Sequence, residues 1–371
     1  MKSIILQENL HKALGVVSRI SANSGQLPIL GTVLLEANEE GLFFSATNLE
    51  MSIKYLAGAK NEKEGKVVVP VKQFLEIVSS LPKDKVVLEK KENKLYVSCL
   101  KTNASINTLN DEEFPHLPKI EEKKLKGSLV FDREELIDCI GRTTFSASMD
   151  ESRAVLTGVL FSWGEEKMEA VATDGYRLSL YKLKKNIIKK EDKTKKIIIP
   201  AKALNEVQRV LGEEKEVKLF LDEKENQAVF SFENGQIFCR LIDGEYPDFE
   251  KIIPSEKGEA FEVERQELER AVKLASIFAR DASNIIRFKV EKNNFSIEAN
   301  SAEVGRGSST IDLEGENEEK QVAFNFRFIA DILRVVQSER IKIFLQDEQK
   351  PGIFLEKGKN NFLHIIMPVK I

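Results

Sequence analysis

The sequence predicts an α+β protein built from three similar domains in tandem, and three observations carry that prediction. One amphipathic-helix pattern occurs three times, roughly 130 residues apart, and a second helix pattern occurs three times at its own offset. The rest of each copy reads as short β-like segments divided by corners at matching places. A length of 371 residues fits, since it suggests about two to three domains of ~100–150 residues.

The first helix is marked by Leu10, Ala13, Leu14 and Val17, then Leu136, Cys139, Ile140 and Thr143, then Leu268, Ala271, Val272 and Ala275. Each set is spaced i, i+3, i+4, i+7, the stripe by which a helix buries one face. A β-like run precedes each copy, at residues 3–6, 128–131 and 260–263. In the second copy Asp132 with Glu135 three residues on forms a capping-box pattern.

The second helix reads VVVPVKQFLEIVSSL, IIIPAKALNEVQRVL and VAFNFRFIADILRVV, aligned on Pro70, Pro200 and Asn325. Proline costs little at a helix start, where the first-turn amide has no intrahelical partner. Apolar residues coincide at Phe74, Leu204 and Ile329, at Ile77, Val207 and Ile332, and at Leu81, Leu211 and Val336. A strand pattern follows each, at residues 85–89, 216–221 and 341–345. Between the helices, corners are expected at residues 38–41, 163–166 and 291–294, and again at Thr47-Asn48, Thr173-Asp174 and Ala299-Asn300. The whole is a β-α-β-β-β unit used six times. Charged, apolar-poor stretches at 119–127 and 256–259 read as linkers, which sets domains at 1–124, 125–255 and 256–371.

The segment AVATDGYRLSLY, residues 170–181, is the sharpest hairpin signal. Asp174-Gly175 between two strand patterns predicts a type I′ turn, with positive φ at both central residues. Beyond it, Tyr176, Leu178 and Leu180 should face one side, and Arg177, Ser179 and Tyr181 the other.

Composition narrows the function. Cys99, Cys139 and Cys239 are odd in number, far apart and set in apolar patterns, so buried free thiols are expected and no disulfide framework. His11, His116 and His364 are scattered without ligand spacing, which leaves a metal or histidine-based catalytic site nothing to build on. No apolar run approaches a signal core or a membrane span, so a cytoplasmic chain is expected. The net charge of -4 argues on average against a nucleic-acid binder.

The distribution of charge says something different. Lys202 and Arg209, Arg327 and Arg334, and Lys12 and Arg19 are pairs seven residues apart, and Lys72 holds the matching first place in the first copy. Seven residues is close to two turns, so each pair shares one helix face. Glu76, Glu206 and Asp331 lie four residues after a basic residue, so a solvated ion-paired face explains any one helix. Repetition in three copies favours a surface for a polyanion.

The whole chain resembles the bacterial replicative sliding clamps, the β subunits of DNA polymerase III. The resemblance rests on three repeats, TDGYRLS at 173–179, LPILG at 27–31, ATNLEMSI at 46–53, DGEYPDFEKIIP at 243–254 and MPVKI at 367–371. It implies a ring of two crescent-shaped chains joined head to tail, helices inside and sheets outside. Such a ring encircles double-stranded DNA, slides, and tethers the replicative DNA polymerase, with the clamp loader, repair polymerases and mismatch-repair proteins as further partners. It implies no enzyme activity, no cofactor and no membrane.

Site residues carry over from the resemblance by position. A pocket for partner peptides would take Leu156, Thr173, Gly175, Tyr176, Arg177 and Leu178, then Pro247 and Ile252. Ile366, Met367, Pro368, Val369, Lys370 and Ile371 complete it, with Arg177 and Lys370 orienting polar peptide groups at the rim. DNA would meet Lys12, Arg19, Lys72, Lys202, Arg209, Arg327 and Arg334, with Arg153 kept in a loop where some relatives carry tyrosines and a glutamine. The loop at 21–26 lacks an arginine that some relatives carry, and Tyr176 stands where others have histidine. The dimer would join Ile106 and Leu109 to Ile277 and Phe278, with Lys101 facing Glu298 or Glu303.

Two rivals come from other classes. An enzyme reading could start from Asp174 or from VGRGSS at 304–309, but the aspartate is explained by its turn. The glycines lack the third member and following helix of a phosphate loop. A β-rich scaffold that binds only protein is the other, and salt separates it: topological retention on closed DNA survives high salt, surface binding does not.

Overall fold

The computed structural model describes residues 1–21, 27–117, 128–164, 167–184, 195–222, 226–254, 259–281 and 283–370. Ile371, most of the 21–26 loop, the linker at 119–127 and much of that at 256–259 lie outside them.

The first repeat runs β1 (Lys2–Leu6), α1 (Gln7–Ser18), β2 (Thr32–Asn38), β3 (Gly41–Thr47), β4 (Met51–Ala57) and a short β5 (Ala59–Lys63). Its second half is β6 (Gly65–Pro70), α2 (Val71–Ser80), β7 (Lys85–Lys91), β8 (Lys94–Cys99) and β9 (Thr102–Asn107). The second repeat has β10 (Ser128–Asp132), α3 (Arg133–Thr143), β11 (Gly158–Trp163), β12 (Met168–Thr173) and β13 (Arg177–Leu183). Then come β14 (Lys195–Pro200), α4 (Ala201–Val210), β15 (Glu216–Asp222), β16 (Gln227–Phe232) and β17 (Gly235–Arg240). The third has β18 (Ala260–Glu264), α5 (Arg265–Ala279), β19 (Ile285–Ser301), β20 (Gly305–Asn325), α6 (Phe326–Val335), β21 (Arg340–Phe344), β22 (Gly352–Glu356) and β23 (Phe362–Ile366).

The helix stripes are buried as their spacing requires: Leu10, Leu14, Leu136, Ile140, Leu268 and Val272 all lie in the core. Phe74, Leu204 and Ile329 are fully buried beneath the second helices, whereas Ile77 is half-buried and Val78 takes the inner place. The Asp132 carboxylate accepts the Glu135 N–H at 3.0 Å, the N-cap half of the expected box. The three cysteines are free and buried, and burial pushes the Cys239 thiol up to about 12.

The compact units cut across the three repeats. One unit holds the first repeat, β10 with the start of α3, and most of the second repeat's second half, and the other holds the rest. In the first unit the sheets are β5-β1-β7-β8-β9 and β10-β15-β16-β17-β4-β3-β2-β6, with α1 packed on α2, β3 and β4. In the second they are β14-β11-β12-β13-β23-β22-β21-β18 and the β19-β20 pair, with α5 against α6, β19 and β20. Each eight-stranded sheet is therefore continuous across a repeat boundary, joined by β17 on β4 and by β23 on β13.

Three turn expectations are corrected. Only Gly175, at φ 92°, has positive φ in the Asp174-Gly175 corner, so the turn is not type I′. Asp174 instead caps it from a negative φ, its Oδ1 accepting the Tyr176 and Arg177 N–H groups at 2.9 and 3.0 Å. Residues 291–294 do not turn the chain, because β19 and β20 stay paired through register shifts on both sides of Lys292. The third counterpart of the hairpin corner falls one residue later than expected. Asn48, Asp174 and Ser301 each accept two backbone N–H groups ahead of them, and the cap at Ser301 sets the turn.

Candidate functional site

The hairpin corner lies at the boundary strand β13, and the segment after β23 runs along it. Arg177 pairs with Ile366 across the two strands. The Met367 N–H then donates to the Tyr176 carbonyl at 2.8 Å, and the Val369 N–H to the Ala323 carbonyl at 2.8 Å. Residues 367–369 are thereby pinned between the corner and the end of β20. Val369 and Lys370 form one wall of a cavity of about 460 Å³, whose other walls include Arg287, Gln321, Ala323, Glu348 and Gln349.

Beside the corner lies an apolar cluster of Leu160, Val171, Leu178, Leu180, Phe249, Ile353 and Ile365, with Val155, Ile242, Tyr246 and Ile253 packed against it. Of the residues expected here, Leu178 is fully buried and acts as floor together with its strand partner Ile365, whereas Ile366 pairs with Arg177 and is buried on the other face of the sheet. Leu156, Met367, Pro368 and Val369 are half-buried, while Tyr176, Pro247, Ile252 and Lys370 are exposed. Thr173 is buried, and its hydroxyl donates to the Arg177 carbonyl at 2.6 Å while accepting the Gly175 N–H at 3.1 Å. Tyr246 was missed by the sequence reading: its hydroxyl accepts the Thr173 N–H at 3.0 Å, and burial pushes its phenol well up. The signal was in the segment quoted for resemblance, EYPDF, one residue before Pro247.

Arg177 does not stand at the rim. Its side chain is 10% exposed and donates to Asp174 Oδ2 at 3.1 Å, Asp331 Oδ2 at 2.6 Å and the Phe145 carbonyl at 2.5 Å. The guanidinium also sits 4.6 Å from the Phe328 ring centre and 5.4 Å from that of Phe145. Each of its three nitrogens makes a hydrogen bond within the fold, so the arginine shapes the corner from inside. Arg153 also serves the corner: Nη1 donates to the Asp174 carbonyl at 2.9 Å and Nε to Asp150 at 3.3 Å.

The remaining helix cations are exposed. Arg19 lies just past α1 as its C-cap, and Lys12, Lys72 and Arg327 show no ion pair among the described residues. Lys202 pairs with Glu151 at 2.9 Å, Arg209 with Glu206 at 2.5 Å and Arg334 with Asp331 at 3.2 Å. All three arginine or lysine side chains in these pairs stay more than half exposed, where an ion pair is worth ~0–1 kcal/mol and yields readily to a phosphate.

On the α5 side, Leu274, Ile277 and Val304 are exposed apolar residues, and the Phe278 ring lies over Gly305 and Gly307. A Cβ at Gly307 would collide with that ring. At β9, Ile106 is 7% exposed and packs mostly into its own core, Leu109 is half-buried, and Lys101 is exposed. Glu298 already pairs with Arg306 at 2.8 Å, which leaves Glu303 as the open carboxylate of the two expected opposite Lys101. Among the described residues no cluster of His, Cys, Asp and Glu could hold a metal, and no helix is long and apolar enough to cross a membrane.

Residues 1–118, 131–248 and 250–370 match the N-terminal, central and C-terminal domains of the DNA polymerase III beta subunit family. The chain is 29% identical over 374 residues to the beta sliding clamp of Chlamydia muridarum, covering 100% of this chain and 99% of that one. It is 28% identical over 382 residues to that of Bacillus subtilis, with both chains covered in full. The crystal structure of the DNA polymerase sliding clamp from Bacillus subtilis superposes with a TM-score of 0.92 at 26% identity, covering 100% of this chain and 99% of that one. The DNA polymerase III beta subunit of Thermotoga maritima gives 0.91 at 25% identity, with 100% and 99% covered.

Proposed function

The chain belongs to the DNA polymerase III beta subunit family, the bacterial sliding clamps, and from that premise we propose how its own residues do the clamp's work. The family is a non-enzymatic processivity factor that binds DNA and polymerase and forms dimers. In our reading this chain works in the cytoplasm and holds its partners by the groove at the 174–176 corner. The observation that carries it is the pinned segment 367–369, whose backbone is fixed to Tyr176 and Ala323 while its side chains stay half open. Half-open Met367, Pro368 and Leu156, with Leu178 and Ile365 as the buried floor, suit the apolar anchor of an extended peptide. Burying one such anchor gains about 1.5–3 kcal/mol, a modest affinity that polymerases, clamp loader, repair polymerases and mismatch-repair proteins can share in turn. Deleting residues 367–371 should abolish binding of a polymerase-derived peptide and leave the dimer and its melting unchanged. Retained peptide affinity, or loss of the dimer, would refute the groove.

Ring closure is supported by the sheet edges. At both internal joints the last strand of one half-repeat pairs with the fourth strand of another: Gly235 with Tyr55 and Cys239 with Met51, then Phe362 with Tyr181 and Ile366 with Arg177. Among the described residues, β9 and the first part of β20 have one strand neighbour each. We propose that they pair between two copies in the same register, which sets Thr102 opposite Ser309 and Ile106 opposite Gly305. Ile106 would then meet the Phe278 ring that covers Gly305 and Gly307, beside exposed Ile277. Lys12, Arg19, Lys72, Arg153, Lys202, Arg209, Arg327 and Arg334 are our candidates for DNA contact. Weak, repeated, sequence-blind phosphate contacts of this kind permit sliding, because none of them reads a base.

A further inference from the structure

One carboxylate joins the two surfaces described above. Asp331 on α6 is 26% exposed, and each of its two oxygens accepts from a different arginine. Oδ2 accepts from Arg177 Nη1 at 2.6 Å, inside the fold, and Oδ1 accepts from Arg334 Nη1 at 3.2 Å, on the exposed helix face. Arg177 in turn holds Asp174 Oδ2, and Asp174 Oδ1 caps the Tyr176 and Arg177 N–H groups. The Tyr176 carbonyl so placed receives the Met367 N–H. From α6 to the pinned segment the chain of contacts is therefore unbroken: Asp331, Arg177, Asp174, Tyr176, Met367.

We infer that Asp331 is a positioning residue for the partner groove, and that through Arg334 it also restrains the phosphate-facing charge of α6. The inference rests on the groove reading above. The inner bond is short, charge-assisted and largely shielded from water, and so is the stronger of the two. The outer bond is to an arginine that is 76% exposed, so a phosphate competes for it at little cost. Removing the carboxylate charge should therefore move the two surfaces in opposite directions. The corner loses its anchor and the groove weakens, while Arg334 is freed and the helix face becomes more positive.

The test uses the full chain, a fluorescein-labelled peptide carrying a polymerase's clamp-binding segment, and a labelled DNA duplex at moderate salt. Asp331→Asn should weaken peptide binding about tenfold and at the same time tighten duplex binding, with melting temperature and dimer elution unchanged. Arg334→Gln should weaken duplex binding and leave peptide affinity within about threefold. Asp331→Glu, which keeps the charge, should bind peptide more tightly than Asp331→Asn. Peptide affinity unchanged in Asp331→Asn, equal affinities in the Asn and Glu variants, or parallel loss of both ligands with the melting temperature would each overturn the inference. The deletion of 367–371 separates the two claims: if it keeps peptide affinity the groove reading fails, and if it alone loses it only the role of Asp331 fails.

Discussion

Arg142, on α3, is the largest fully buried side chain among the described residues, and removing its charge should be the costliest single change in the unit that carries the groove. Its side chain is 1% exposed and pairs with Glu356 of β22, which is 0% exposed, and with Asp138 at 2.5 Å. The guanidinium also stands 5.1 Å from the Phe362 ring centre. Arg142→Ala leaves Glu356 buried with only Lys359, 3.2 Å away and 39% exposed, as a charged partner. Stranding a buried charge costs about 3–5 kcal/mol, and the remaining lysine puts this site near the lower end of that range. For a unit of roughly 150–250 residues, that corresponds to a fall of about 6–15 °C in Tm. Scanning calorimetry with urea melts measures it. Arg142→Met combined with Glu356→Leu should recover more than half of the loss, because a well-packed apolar pair replaces a desolvated ionic one. A loss under about 1 kcal/mol, or a double variant worse than the single, would refute the reasoning.

Two further predictions concern other parts of the chain. Phe278→Ala should weaken the dimer by about 2–4 kcal/mol, seen as dissociation on dilution in light scattering; a variant as dimeric as the parent would remove Phe278 from the interface. His364 is fully buried between Ser179, whose Oγ is 2.9 Å from Nδ1, and the rings of Phe145 and Phe362, with Arg177 nearby. Burial first, and the arginine second, hold its pKa well below the ordinary 6.5. The unfolded chain thus binds the proton first as pH falls, so this contribution is full above about pH 6.5 and is lost below it, by up to ~1.4 kcal/mol per pH unit. Urea melts from pH 7.5 to 5 should show that slope, and His364→Gln should flatten it.

Much of this was legible in the sequence because it depends on local periodicity. The stripe at Leu10, Ala13, Leu14 and Val17 and its two counterparts needs only a core on one side, and the same logic placed the second helices after Pro70, Pro200 and Asn325. What was not legible depends on contacts distant in sequence. Nothing local says that β17 joins β4 or that β23 joins β13, yet those pairings define the two units and put residue 367 beside residue 176. Arg177 reads as a surface cation from its alternation, and only Asp331 and Phe328, some 150 residues away, draw it inward. Asp-Gly suggested a type I′ turn, but an aspartate side chain that can cap two amides makes a different corner without positive φ at Asp174.

The central claim is that two copies close around duplex DNA, and topology tests it without reference to any single residue. Labelled protein is loaded on a nicked circular plasmid with a clamp loader, separated from free protein by gel filtration in high salt, and challenged by cutting the circle once. The account predicts retention on the circle in high salt and release on cutting, because the link is geometric and not ionic. Loss from the intact circle at the salt that strips it from linear DNA, or retention after cutting, would contradict it.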